Sequence, residues 1–165
     1  MIRIIEATPA DYNIIQQLAY KIWPVTYGDI LSTEQLDYML DSFYSIESIT
    51  QSVKNNQPFL LAIENQDCVG FISYEHFYKK LPVTRIHKIY VSNEIQGRGI
   101  GKMLFSEVEL LAKAAKSISV SLNVNRFNNA QLFYLKMGFK IIKEEDISIG
   151  NGYLMEDYVM EKPLD

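Results

Sequence analysis

RIHKIYVSNEIQGRGIGKMLFSEVELL, residues 85–111, opens as a short apolar strand (Ile86, Ile89, Tyr90, Val91) and turns at Ser92, Asn93 and Glu94. It then enters a loop with glycine at three alternate positions, Gly97, Gly99 and Gly101. A helix leaves that loop at once: Ile100, Leu104, Val108, Leu111 and Ala115 recur every three or four residues, one face of an α-helix. Glycines at a helix start leave backbone N–H groups uncovered, and the first four have no partner within the helix. With the positive end of the helix dipole they make an anion site, most naturally for phosphate.

The spacing narrows the phosphate ligand. A Walker A loop needs four residues between its glycines and a hydroxyl after the lysine; here three residues separate Gly97 from Gly101, and Met103 follows Lys102. A dinucleotide fingerprint needs G-x-G-x-x-G and an acid ending the next strand, whereas this loop reads G-x-G-x-G and the next strand ends at Asn123 and Asn125. Gln96-Gly97-Arg98-Gly99-Ile100-Gly101, read as Q-x-x-G-x-G, instead resembles the acyl-CoA pyrophosphate loop of the GNAT superfamily of N-acetyltransferases. Downstream, NVNRFNNAQLFYLKMGF (Asn123 to Phe139) resembles that family's second signature: Asn opening a helix, Ala two on, Phe-Tyr, then Lys-x-Gly-Phe. The likeness covers the layout from Ile2 onward and residues 85–140 in detail.

That resemblance implies an acetyl-CoA-dependent enzyme that passes an acetyl group directly to a primary amine. It implies an α/β (α+β layered) fold: a mixed, mostly antiparallel six- to seven-stranded sheet, helices on both faces, splayed at a central parallel pair. Residues 1–165 are expected to form one acetyltransferase domain. The main-chain N–H of Val91 is assigned to the thioester carbonyl, with Ile89 and Tyr90 pairing along the pantetheine arm. Gln96, Gly97, Arg98, Gly99, Ile100, Gly101 and Lys102 are assigned to the diphosphate. Asn123, Asn128, Phe133, Tyr134 and Lys136 complete the coenzyme set, and the Arg98 side chain is a candidate for the 3′-phosphate. Tyr134 matches the family's general acid: a phenol with pKa near ~10 keeps its proton where a thiol near ~8.5 begins to lose it. Glu75, His87 and Asp157 are candidate bases, as is a chain of ordered water. Tyr27, Glu75 and His87 are expected at the acceptor.

Composition bounds the remainder. The chain has 165 residues, 48% hydrophobic and 22% charged, an ordinary globular composition. A net charge of −4 gives no electrostatic footprint for nucleic acid. Cys68 is the only cysteine, so no intrachain disulfide forms, and a reducing, cytoplasmic setting is expected. No apolar run approaches the ~20 residues of a membrane span, and no metal is expected. The C-terminal DISIGNGYLMEDYVMEKPL and the early Trp-Pro-x-Thr-Tyr segment loosely resemble bacterial polyamine acetyltransferases, with Asp146, Glu156 and Asp157 as attractors for a polycation. A peptide amine, a CoA-binding sensor without turnover, and a homodimer stay open.

In chain order, Ile2–Ala7 reads as a strand, and a helix capped by Thr8, with Ile14, Ile15, Leu18 and Ile22 as its buried face, ends at Trp23-Pro24, since the residue before proline avoids helical angles. Val25–Ile30 reads as an irregular bridge holding Tyr27. Helices then start near Ser32 and Ser45, roofing the acceptor cleft, with Trp23, Tyr38, Phe43 and Tyr44 as core aromatics or pocket walls. Strands follow at Pro58–Glu64, Cys68–Tyr78, Val83–Val91, Ser117–Val124, Phe139–Glu145 and Tyr153–Glu161, with a helix over Asn128–Met137.

Overall fold

The computed structural model describes Met1–Asp165. Along the chain run β1 (Ile2–Glu6), α1 (Tyr12–Tyr27), α2 (Thr33–Tyr44), α3 (Ile46–Lys54), β2 (Phe59–Glu64), β3 (Asp67–Glu75) and β4 (Val83–Val91). Then come α4 (Ile100–Ala114), β5 (Ser119–Asn125), α5 (Ala130–Lys136), β6 (Lys140–Gly150) and β7 (Tyr153–Pro163). The strands form one seven-stranded sheet, ordered β1-β2-β3-β4-β5-β7-β6. Only β4 and β5 lie parallel; the other neighbours are antiparallel.

Alternation along β2 and β3 sends side chains to two cores. Leu61 and Phe71 pack beneath α1, α2 and α3 with Ile15, Ile22, Leu40 and Ile49. Leu60 and Ile72 pack beneath α4 with Ile100, Leu104, Val108 and Phe105. These α4 residues are at most 1% exposed, and each such side chain contributes about 1.5–3 kcal/mol on burial. The apolar stripe after the glycine loop is therefore what fixes α4 to the sheet.

Two helix readings change. α1 does not stop at Pro24 but runs through it to Tyr27, so Tyr27 is a helical residue rather than part of a loop. The proline removes one donor from the helix, yet Trp23 and Tyr27 are 4% and 7% exposed and meet each other, Tyr44 and Tyr90 ring to ring. Burying both rings outweighs the break. Ile14, expected inside, is 40% exposed. β3 ends at Glu75, and the following Phe77, Lys79 and Lys80 adopt left-handed angles in a turn. The last two strands are longer than their apolar cores suggest, because β6 and β7 pair with each other almost throughout.

Beside the glycine loop the sheet parts. β4 and β5 pair only from Val83↔Ser119 to Ile86↔Leu122. Beyond that point β4 stays with β3, while β5 stays with β7 as far as Asn125↔Asp157. A bulge marks the parting: Tyr74 faces Ile86 and Ser73 faces Lys88, so His87 is the one extra residue on β4.

Candidate active site

A cleft of about 1220 Å³ fills the wedge between β4 and β5 and continues under α1 and α2. Its floor is the open edge of β4, His87 to Val91, and its far wall is Leu122 to Asn125 with Asp157. Gly97, Gly99, Ile100, Gly101 and Lys102 close one end; Asn128, Ala130, Phe133 and Tyr134 close the side.

The glycine loop is shaped by backbone angles only glycine takes easily. Gly97 and Gly99 have φ of +88° and +80°, and a Cβ built on either meets no atom within 4 Å. A side chain at either position would enter open space, and both glycines line the cleft. α4 starts at Ile100, its cap Gly99 offers no side chain, and Met103 N–H is the first to bond back, to the Gly99 carbonyl at 3.0 Å. The amides of Ile100, Gly101 and Lys102 are thus without helical partners at the positive end of the helix. Gln96 Nε2 donates to the Val91 carbonyl at 3.3 Å and to Asn93 Oδ1 at 3.2 Å, tying the loop to the end of β4.

Tyr134 lies on α5, 7% exposed, its ring packed against Phe105, Phe133 and Phe139. Burial, with a smaller contribution from Tyr27, raises its phenol above the ordinary range, so it stays protonated. Asn128 accepts from the Ala130 N–H at 2.9 Å, starting α5, and its Nδ2 lies 3.5 Å from the Tyr27 hydroxyl. Tyr27 in turn shares a 2.8 Å hydrogen bond with Tyr90.

His87 lines the cleft, and its Nε2 is 2.9 Å from Glu75 Oε1. Burial lowers the imidazole pKa, partly offset by the Glu75 hydrogen bond, so the ring is neutral near pH 7. Glu75 itself stands outside the cleft and also accepts from Gln57 Nε2 at 3.2 Å. Asp157 is 1% exposed, and burial raises its carboxyl pKa; Asn123 Nδ2 donates to it at 3.2 Å and to Glu145 at 3.3 Å. Arg85 donates to the Asn123 Oδ1 and, at 3.1 Å, to Ser121.

The structure therefore gathers most of the expected residues around one cleft, with four differences. The Arg98 guanidinium turns away to a 2.9 Å ion pair with Glu64, leaving only its main chain in the loop. Lys136 is exposed on the last turn of α5 and does not line the cleft. The Asn123 side chain is occupied by Arg85, Glu145 and Asp157 rather than being available to a ligand. Glu75 reaches the cleft only through His87. Cys68 is away from the cleft too; its thiol contacts the Gly70 carbonyl at 3.4 Å, and burial pushes its pKa up to about 11.

Lys88 was not anticipated. It enters the cleft among Tyr44 and Phe59, its Nζ 5.8 and 5.9 Å from their ring centres, and burial lowers its pKa to about 8. A lysine amid the apolar run Ile86–Val91 was the available signal.

A family model described as an acetyltransferase (GNAT) domain matches residues 29–162. The chain is 29% identical over 152 residues to spermidine N(1)-acetyltransferase of Thermoplasma acidophilum, covering 88% of this chain and 90% of that one. It is 27% identical over 123 residues to the peptidyl-lysine N-acetyltransferase YjaB of Salmonella typhimurium, covering 71% and 75%. The PaiA N-acetyltransferase of Thermoplasma acidophilum, solved in complex with coenzyme A, superimposes with a TM-score of 0.83 at 27% identity, covering 99% of both chains.

Proposed function

This chain belongs to the GNAT family of acetyltransferases, and from that premise we propose that residues 1–165 form one catalytic unit that acetylates the primary amine of a small molecule by direct transfer from acetyl-CoA. One observation carries the reading: the pairing of β4 with β5 ends at Ile86–Leu122, beside a loop whose Gly97 and Gly99 leave a side-chain-free recess, and Tyr134 faces the same cleft. An elongated ligand with a diphosphate fits that arrangement, since any Cβ at Gly97 or Gly99 would project into its place.

Acetyl-CoA, when bound, supplies an acetyl group activated as a thioester. The amides of Gly97 to Lys102 hold the diphosphate, and the unpaired edge of β4 from Ile89 to Val91 orients the pantetheine arm. The Val91 N–H polarises the thioester carbonyl, an oxyanion-type contact. Neutral His87, with its Nε2 set by Glu75, takes a proton from the acceptor's ammonium so that the nitrogen can attack. The C–N bond forms and the C–S bond breaks. Tyr134 gives its proton to the departing sulfur; the acylated nitrogen sheds its second proton to solvent, and solvent restores the Tyr134 phenol. Cys68 takes no part, because its thiol is outside the cleft and stays protonated.

A polyamine is the first acceptor to try. One relative is a spermidine acetyltransferase, and Asp157 places a carboxyl group on the cleft wall. The test is release of free thiol from acetyl-CoA against a panel of amines, with mass spectrometry of the products. Acetylated small amines are expected. Tight coenzyme A binding without thiol release on any amine would instead mark a sensor.

A further inference from the structure

The two groups assigned to the thioester stand on opposite banks of the cleft. The Val91 N–H belongs to β4, and Tyr134 to α5, which follows β5. Backbone pairing of β4 with β5 ends at Ile86–Leu122, so beyond it no main-chain ladder fixes the distance between the banks. No hydrogen bond runs directly from His87–Val91 to β5 or to α5 either. The one route of two hydrogen bonds passes through a third element, the last turn of α1. The Tyr27 hydroxyl meets the Tyr90 hydroxyl of β4 at 2.8 Å and accepts from Asn128 Nδ2 at 3.5 Å.

Each end of this bridge lies beside a reacting group. Tyr90 precedes Val91 on its strand. Asn128 Oδ1 accepts from the Ala130 N–H at 2.9 Å, which leaves Nδ2 to Tyr27 and ties the bridge to the first residue of α5. Tyr134 is one helical turn further on, and Tyr27 is near enough to add to the rise in its pKa. The bridging side chain is itself fixed: Tyr27 is 7% exposed and its ring packs on Trp23 with centroids 4.7 Å apart. A phenol can accept from the amide and donate to the second hydroxyl at once, whereas a phenylalanine of the same shape can do neither.

We propose that Tyr27 is a positioning residue: by linking Tyr90 to Asn128 across the parted strands, it sets the separation of the Val91 N–H from the Tyr134 hydroxyl, so that both act on one thioester. This rests on the acetyl-transfer reading above and adds the part that holds its two halves in register. Misplacing a reacting group by about 1 Å costs up to about 100-fold in rate.

Tyr27→Phe removes the bridging hydroxyl and keeps the ring. In the thiol-release assay kcat should fall about 10–100-fold, while calorimetric coenzyme A affinity stays within about threefold. Tyr90→Phe breaks the same bridge and should lower kcat likewise. A double-mutant cycle with Tyr134→Phe separates positioning from general loosening. In a protein already without the acid, Tyr27→Phe should cost less than about a further twofold, because the group it positions is gone. A kcat within about twofold of the parent in Tyr27→Phe, or losses that multiply in full with Tyr134→Phe, overturns the proposal and leaves the acetyltransferase standing. If no amine is turned over, the parent reading fails, and hydrogen exchange decides this one. The Ala130 amide must then exchange at least about fivefold faster in Tyr27→Phe while the amides of α4 are unchanged; an unmoved Ala130 amide overturns the bridge.

Discussion

Replacing Tyr134 by phenylalanine separates the acid from the scaffold. The ring is 7% exposed and its contacts with Phe105, Phe133 and Phe139, at centroid distances of 6.4, 5.5 and 5.9 Å, survive the change. No side-chain hydrogen bond contributes to the state of its hydroxyl, so none is broken and no buried partner is orphaned. Stability should therefore move by no more than about 0.5 kcal/mol, a shift of roughly 1–2 °C in Tm for a chain of this size. Turnover is another matter. A positioned general acid contributes roughly 10²–10⁴-fold, which is about 3–5 kcal/mol of barrier at about 1.36 kcal/mol per decade. The assay is thiol release under saturating acetyl-CoA, with calorimetric coenzyme A affinity and thermal unfolding run on the same preparations. The expected result is kcat down by two decades or more with affinity and Tm unchanged. A variant turning over within about twofold of the parent refutes the assignment of Tyr134 as acid.

Three further outcomes follow from the same geometry. In Glu75→Gln the hydrogen bond that raises the His87 pKa is weakened, so the acid limb of the kcat/KM profile should move to lower pH and the plateau should fall; an unmoved limb removes His87 from the proton path. Lys88→Met should stabilise the protein at pH 7, by up to about 3 kcal/mol, because the folded state binds the lysine proton less well than the unfolded chain. The sign follows from a folded pKa of about 8 below an unfolded value near ~10.4: the parent gains stability as pH rises between the two, and denaturant titrations should show that rise vanish in the variant. Cys68→Ser should keep full turnover, and alkylating reagents should leave the parent active near pH 7, since a thiol with pKa about 11 is almost wholly protonated there.

Chemistry performed by the main chain was legible in the sequence, because glycine is itself the signal. Gly97 and Gly99 announce positive φ, Gly138 does the same after α5, and the stripe from Ile100 to Ala115 announces the helix that follows. Other features depend on distances in space that sequence spacing does not encode. The Arg85–Asn123–Asp157–Glu145 network joins β4, β5, β6 and β7, and nothing local to any of them indicates that the Asn123 amide is already engaged. The Arg98 side chain was read from its loop alone, while its partner Glu64 belongs to β2. The bulge at His87 is a single inserted residue; strict alternation puts Ile86, Lys88 and Tyr90 on one face, whereas the structure sends Ile86 to the α4 side and the other two to the α1 side. Pro24 misled for a related reason: the local rule against a residue preceding proline was overruled by rings on α2 and β4.

The most direct measurement is a calorimetric titration of coenzyme A into the parent and into Gly99→Val. A side chain at φ +80° strains the backbone by about 1–2 kcal/mol but meets no protein atom within 4 Å, so circular dichroism should report a folded variant melting a few degrees lower. The parent should bind, and the folded variant should give no heat of binding, because its valine occupies the recess assigned to the diphosphate. A folded Gly99→Val that binds coenzyme A within about threefold of the parent contradicts the loop's role and, with it, the path of the acyl donor through the parted strands.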